Sequence, residues 1–181
     1  MNSQTRRELL VFGLLLALGV VGRWAQPAWN VTPLTAIALL GGFTFRSWLP
    51  ALLLPAAMLA VSDLLLTPHD SLLAAAAVYA MTLLPVALGR DAARREGWRR
   101  AGMWGAGAIV PATAFFLVTN LAVWAGKSMY EPTLAGLAHC YTQGLPFYRA
   151  MLAGDVVYVA LAAGCVAAAR LLEQRPATAS A

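Results

Sequence analysis

Apolar residues occur in this chain in long blocks that are separated by short polar or proline-containing turns. The blocks cover about residues 9–22, 31–45, 49–66, 72–89, 101–124 and 148–172. Most approach the roughly 20 residues that a helix needs to cross about 30 Å of hydrocarbon. The pattern therefore predicts an all-α polytopic membrane helix bundle with about six transmembrane helices. We expect residues 1–181 to form a single membrane domain, with a loose tail at 173–181.

Composition agrees with this prediction. Of the 181 residues, 60% are hydrophobic and 12% are charged, whereas soluble domains have roughly 25% charged residues. The N-terminal block resembles a secretory signal, but no A-x-A cleavage site follows it, and we interpret it as the first span.

The connection between the last two blocks is the longest, at 125–147. It is predicted to be an outer loop that carries a short helical stretch at about 133–144 and covers a pocket.

Lysine and arginine are distributed unevenly over the predicted turns. With the N-terminus inside, three of the thirteen lie on the outer side, namely Arg23, Lys127 and Arg149, and the other ten lie on the inner side. This bias predicts cytoplasmic N- and C-termini. The net charge of +5 is therefore interpreted as a topology signal facing anionic lipid, and no nucleic-acid partner is expected.

Polar side chains are concentrated at the predicted outer ends of the helices. Because placing a polar group in a bilayer costs free energy, each of them indicates a structural or functional role. The candidates for a ligand-binding site there are Asn30, Asp63, His69, Asn120, Trp124, Tyr130, Cys140, Tyr141 and Asp155. We expect Asn120 and Asp155 to orient polar groups, and Trp124 and Tyr141 to stack on the ligand. His69 or Cys140 could coordinate a metal that the ligand carries.

Structural roles for the same residues stay open. Asp63 and Asn120 could cap helix ends, and Asp155 could pair with Arg149. The tryptophans and tyrosines could form the usual interfacial belt.

Motifs for catalysis or for a protein-bound metal are missing. The sequence has no GxSxG, HExxH, HxxxH or glycine-rich phosphate loop, so no catalytic residue and no metal ligand set is assigned. Adjacent His139 and Cys140 are poorly spaced for two ligands on one helix. Catalysis that uses Cys140 and His139 remains the weaker interpretation, and Cys165 is interpreted as a small buried hydrophobe.

Small residues repeat every four positions in the first and last blocks. Gly13 and Ala17 are one such pair, and Ala160, Gly164 and Ala168 continue the pattern in the last block. This spacing lets helix backbones approach closely. It is compatible with packing inside the bundle or with a docking face for a partner membrane protein.

Several short motifs carry a family resemblance over residues 9–172. They are Asn30-Val31-Thr32-Pro33, Ala38-Leu39-Leu40-Gly41-Gly42, Ser62-Asp63, His69, Thr119-Asn120, Trp124, Tyr130, Gly136-Leu137, Cys140-Tyr141 and Pro146-Phe147. The chain resembles a bacterial family of small six-helix membrane proteins without an assigned function. That architecture is similar to the substrate-binding S-components of energy-coupling factor (ECF) vitamin transporters.

The resemblance implies a bacterial cytoplasmic (inner) membrane as the location, and uptake of a small vitamin-like ligand through an outward-facing pocket. It also implies a transmembrane T-component and two ATPases as partners, with Gly13 and Ala17 at the position of the docking motif. In a cobalamin-handling branch of such proteins, a cysteine thiol interacts with the cobalt of the ligand. Cys140 is the only analogue of that cysteine here, so the resemblance leaves a cobalt-containing ligand open. No resident cofactor is expected. The rival interpretations are a non-transporting assembly partner and a small membrane enzyme.

Overall fold

The computed structural model describes residues 2–28, 30–66, 71–126 and 129–173, and all regular structure in these ranges is helical. The helices are α1 (Ser3–Trp24), α2 (Leu34–Thr44), α3 (Trp48–Ser62), α4 (Leu72–Met81), α5 (Leu84–Arg94), α6 (Gly97–Ala125) and α7 (Leu134–Glu173). The predicted tail from 174 onward lies outside the described residues.

Three helical segments are long and apolar enough to cross a membrane: Leu72–Arg94, Gly97–Ala125 and Leu134–Glu173. The first of these is α4 followed directly by α5, with a break at Thr82 and Leu83. Helices α2 and α3 are apolar but shorter. The chain is therefore an all-α protein of membrane type.

Helix α1 begins earlier than the apolar block predicts. It starts at Ser3, where Asn2 caps it by accepting a 2.7 Å hydrogen bond from the backbone N–H of Thr5. A capping side chain satisfies an amide that the first turn leaves unpaired, so the polar residues before the block are also helical.

Helix α2 is the centre of the bundle and packs directly against α5. Gly42 of α2 faces the backbone carbonyl of Val86, and Gly89 of α5 faces the backbone carbonyl of Leu39. A Cβ at either glycine would collide with the backbone of the other helix. Small residues at such crossings let two membrane helices approach until their backbones touch.

Two hydrophobic clusters flank α2 on opposite sides. Ile37 packs with Leu15 of α1 and Met58 of α3. Leu39 packs with Trp104 of α6 and Val159 of α7. Each cluster therefore uses residues of α2 as its common wall.

Trp104 is one of the tryptophans that could form an interfacial belt. It is instead 5% exposed and packs against the ring of Phe43, with 5.5 Å between ring centroids. Trp104 thus belongs to the core of the bundle, whereas Trp48 and Trp98 are exposed.

Helices α6 and α7 form an antiparallel pair. The separate loop helix and last span that the sequence predicts are one continuous helix, Leu134–Glu173, which passes through Pro146. A proline removes a single backbone N–H, and membrane helices tolerate this where neighbouring helices satisfy the freed carbonyl. At 1.5 Å per residue, α7 is about 60 Å long, roughly twice the hydrocarbon thickness.

Basic residues gather at one end of the bundle. Arg90 donates hydrogen bonds to the carbonyls of Arg46 and Phe45, at 2.9 and 3.2 Å. The guanidinium of Arg170 lies 5.2 Å from the ring centroid of Phe43. The turn between α2 and α3, the C-terminal half of α5 and the end of α7 therefore meet at this end.

Replacing Gly42 or Gly89 by alanine is expected to destabilise the bundle. The added methyl group must push α2 and α5 apart, and overpacking of this kind costs about 1–3 kcal/mol. Thermal unfolding in detergent measures the effect.

Gly105→Ala on α6 is the matched control, since a Cβ there meets nothing within 4 Å. It should leave the stability unchanged or raise it by up to about 1 kcal/mol, because alanine favours the helix. Equal stability of all three variants would contradict the close crossing.

Candidate functional site

A cavity of about 280 Å³ lies just beyond the N-terminus of α2. All seven helices contribute residues to its walls. Its lining residues are Arg23, Gln26, Asn30, Thr32, Leu34, Thr35, Leu59, Leu66, Val78, Met81, Thr82, Pro85, Pro111, Ala112, Phe115, Met151 and Asp155.

Asp155 of α7 is the buried charged residue of this cavity, with 3% of its surface exposed. Its Oδ2 accepts a 2.9 Å hydrogen bond from the hydroxyl of Thr35 in the first turn of α2. From the sequence, Arg149 could be an ion-pair partner of Asp155, but Arg149 is exposed. No ion pair to Asp155 occurs within the described ranges.

Arg23 lies at the C-terminal end of α1 and lines the cavity from another side. Its Nη1 donates to Oδ1 of Asp63 at 2.7 Å and also to the hydroxyl of Ser62. Trp24 donates to the carbonyl of Ser62 at 3.1 Å, and Tyr79 approaches Asp63 at 3.4 Å. The carboxylate of Asp63 is therefore neutralised inside a network that ties α1 to α3 and α4.

The break between α4 and α5 borders the cavity. The hydroxyl of Thr82 donates to the carbonyl of Tyr79 at 2.7 Å, and the chain resumes its helix at Leu84. Pro85 has no N–H to offer the carbonyl of Met81, one turn earlier. Irregular backbone at membrane depth is tolerated where it is buried in protein or lines a cavity, and here it does line one.

A second group of predicted residues lies between α6 and α7, apart from the cavity lining. The thiol of Cys140 is buried and lies 3.4 Å from the carbonyl oxygen of Asn120. Tyr141 donates to the carbonyl of Leu117 at 2.7 Å. The ring of Phe116 contacts both Tyr141 and Tyr148, with centroids 5.5 and 4.7 Å apart. These residues join the two helices.

Trp124 and Tyr130 hold the connection between the same helices. The indole N–H of Trp124 donates to the carbonyl of Glu131 at 2.9 Å. The ring of Tyr130 meets that of His139 edge to face, with centroids 5.6 Å apart, and His139 lies 3.0 Å from Gln143.

The structure thus divides the candidates. Asn30 and Asp155 line the cavity, and Asp63 is joined to it through Arg23. The candidates Asn120, Trp124, Tyr130, Cys140 and Tyr141 belong to the contact between α6 and α7 and its connection. His69 lies outside the described residues.

Sequence reasoning missed Thr35, Thr82, Met81 and Met151 as cavity residues. It named Arg23 only as a basic residue of the predicted outer side. The signal for Thr82 was the nearby Pro85 inside an apolar block, which indicates a helix break. Thr35 lies 120 positions from Asp155 along the chain, so no local pattern could join the two.

In the described parts of the chain, no three His, Cys, Asp or Glu side chains gather in a group that could hold a metal ion. His139 is exposed and the neighbouring Cys140 is buried. Consecutive residues of a helix point in different directions, so the imidazole and the thiol do not converge on one site.

Together these features define an all-α protein of membrane type with a mixed polar and apolar cavity between its helices. The chain belongs to the DUF6580 family, a family of unknown function, whose match covers residues 3–178. No curated protein and no solved structure matches the chain.

Removing one partner of the Arg23–Asp63 pair is expected to cost stability. The two side chains are 16% and 20% exposed, so Asp63→Asn leaves a partly buried guanidinium without its counter-charge. The expected loss is about 1–3 kcal/mol, measured by thermal unfolding in detergent.

Asp91→Asn removes the carboxylate of the more exposed Arg95–Asp91 pair, at 42% and 35% exposure. That i, i+4 pair should contribute no more than about 0.5 kcal/mol. A loss for Asp63→Asn no larger than for Asp91→Asn would show that the network around Arg23 does not stabilise the bundle.

Proposed function

We propose that this chain is a membrane-embedded small-molecule-binding protein and that the cavity at the N-terminus of α2 is its binding site. The observation that carries the proposal is a cavity walled by all seven helices that contains a buried carboxylate, Asp155. Ligand sites in proteins are typically concave, mostly apolar and equipped with few polar groups. The cavity volume of about 280 Å³ suits a small ligand.

The proposed topology has six membrane crossings, with both termini in the cytoplasm of a bacterium and the cavity toward the outside. The concentration of arginines at the end of the bundle opposite the cavity supports it. Arg90 and Arg170 meet the last residues of α2, whereas the cavity adjoins its first turn. Positive residues favour the cytoplasmic side.

The finer proposal is uptake in the manner of an ECF S-component, with a vitamin-like ligand and with a T-component and ATPases as partners. Exposure of the predicted docking residues supports it. Ala17 is exposed, and a Cβ at Gly13 would meet no atom within 4 Å. Both residues therefore remain accessible on the face of α1 that points away from the bundle.

Binding of a cobalt-containing ligand and catalysis by a thiol would both depend on Cys140. Its buried thiol faces Asn120 and does not line the cavity. We therefore do not include a cobalt-containing ligand or thiol catalysis in the proposal. A non-transporting assembly partner would use the same exposed face of α1 and would need no ligand.

Filling the cavity tests the binding proposal. Ala112 lines the cavity and is 1% exposed, so Ala112→Leu should reduce the space that a ligand occupies. We expect a small molecule to co-purify with the wild-type protein in gentle detergent and to be depleted by about tenfold or more in the variant. Mass spectrometry of the extracted protein measures this.

Ala101→Leu is the control, because Ala101 lies on the same helix but is exposed. It should retain the molecule in wild-type amount. A stoichiometric molecule that Ala112→Leu retains would place binding elsewhere. A wild-type protein without any co-purified molecule would favour the assembly-partner interpretation.

Enlarging the docking residues tests the uptake proposal separately. Gly13→Leu combined with Ala17→Leu should reduce co-purification of a partner membrane protein by about tenfold, because close helix approach needs small residues. Ligand binding in the cavity should be unchanged. Gly105→Leu, at another open position, is the control, and equal partner recovery from both variants would contradict docking through α1.

A further inference from the structure

We propose that the ligand carries a cationic nitrogen, an ammonium group on an otherwise largely apolar organic body, and that this group pairs with the carboxylate of Asp155. The inference deepens the proposed function and rests on it. It comes from the charges that line the cavity and from the way each charge is compensated.

Two residues of the described cavity lining carry an ionisable charge, Arg23 and Asp155. The positive charge of Arg23 is already matched by Asp63 at 2.7 Å. Asp155 has no such match among the described side chains. When Asp155 is ionised, Arg23, Asp63 and Asp155 together carry one net negative charge, and that charge lies at the cavity wall.

The immediate surroundings of Asp155 compensate its charge only in part. Thr35 donates a single hydrogen bond to Oδ2. Thr35 is also the second residue of α2, and a helix N-terminus contributes roughly half a positive charge. A carboxylate with 3% exposure is costly in a bundle without a full counter-charge. A cationic ligand group supplies that counter-charge in the cavity.

The rest of the lining favours an organic cation over a bare metal ion. The described residues hold no cluster of three metal-ligating side chains. Met81, Phe115 and Met151 instead provide apolar and polarisable surface within the same cavity. An aromatic ring and thioethers suit the hydrocarbon part of an amine, and an aromatic face also attracts cations.

Matched ligand pairs that differ only in the charged group provide the test. Suitable probes are 2-phenylethylamine with 2-phenylethanol, tryptamine with tryptophol, and hexylamine with hexanol. Each is titrated into the detergent-purified full-length protein, with thermal stabilisation and isothermal titration as readouts. Sodium chloride and magnesium chloride are titrated separately, to test whether an inorganic cation alone stabilises the protein.

We expect at least one amine to bind the wild-type protein about tenfold or more tightly than its alcohol, as a charge-assisted hydrogen bond would give. Asp155→Asn should abolish this difference. Asp91→Asn, which removes a carboxylate at the arginine-rich end, should preserve it. If Asp155→Asn fails to fold, Thr35→Val should still narrow the difference, because it removes the hydroxyl that orients the carboxylate.

The proposal is overturned if amines and alcohols bind the wild-type protein equally, if no amine binds, or if sodium or magnesium reproduces the full stabilisation. It is equally overturned if the preference for amines survives Asp155→Asn. These outcomes leave the binding function intact when Ala112→Leu still depletes a co-purified molecule. Absence of any co-purified molecule would count against the binding function itself.

Discussion

The contact of α2 with α5 at Gly42 and Gly89 is the constraint on which the rest of the bundle depends. Apolar side chains give helices little reason to associate in lipid, because the lipid tails are equally apolar. Association then rests on close packing, and the two glycines let the backbones of α2 and α5 touch. Leu39, opposite Gly89, is also the α2 residue that contacts Gly107 of α6, so one crossing fixes three helices.

The cavity lies one helical turn from that crossing. Thr35 precedes Leu39 by four residues on α2, and Pro85 directly precedes Val86 on α5, so each crossing residue has a cavity-lining neighbour on its own helix. The crossing therefore holds the hydroxyl that reaches Asp155 and the proline at the break beside Thr82. The same two helices therefore provide the tight crossing and, one turn away, part of the wall of the mixed polar and apolar cavity.

The sequence predicted the positions of the helices along the chain better than the neighbours of each residue around the bundle. Blocks of apolar residues located most of the helices, but the block at 72–89 is broken at Thr82 and Leu83. The sequence also predicted an interruption near Pro146, whereas α7 packs against α6 and continues through it. Asn30, Asp155 and Asn120 were all expected at the outer helix ends. Only contacts between distant segments decide that Asp155 meets Thr35 whereas Asn120 meets Cys140. Phe116, Asn120 and Trp124 share one helix face, as their spacing of four predicts, but that face meets α7 and its connection.

The two carboxylates differ in how their charges are compensated. This difference gives Asp63 a structural role and leaves Asp155 available to a ligand. Asp63 pairs with Arg23 and receives a further contact from Tyr79, so its charge is compensated within the bundle. Asp155 is more deeply buried yet receives one hydroxyl. Breaking a compensated pair costs stability, whereas an uncompensated carboxylate already carries its desolvation cost before any ligand arrives. A cation that enters the cavity relieves that cost, which gives the site a preference for charge beyond the fit of its apolar walls.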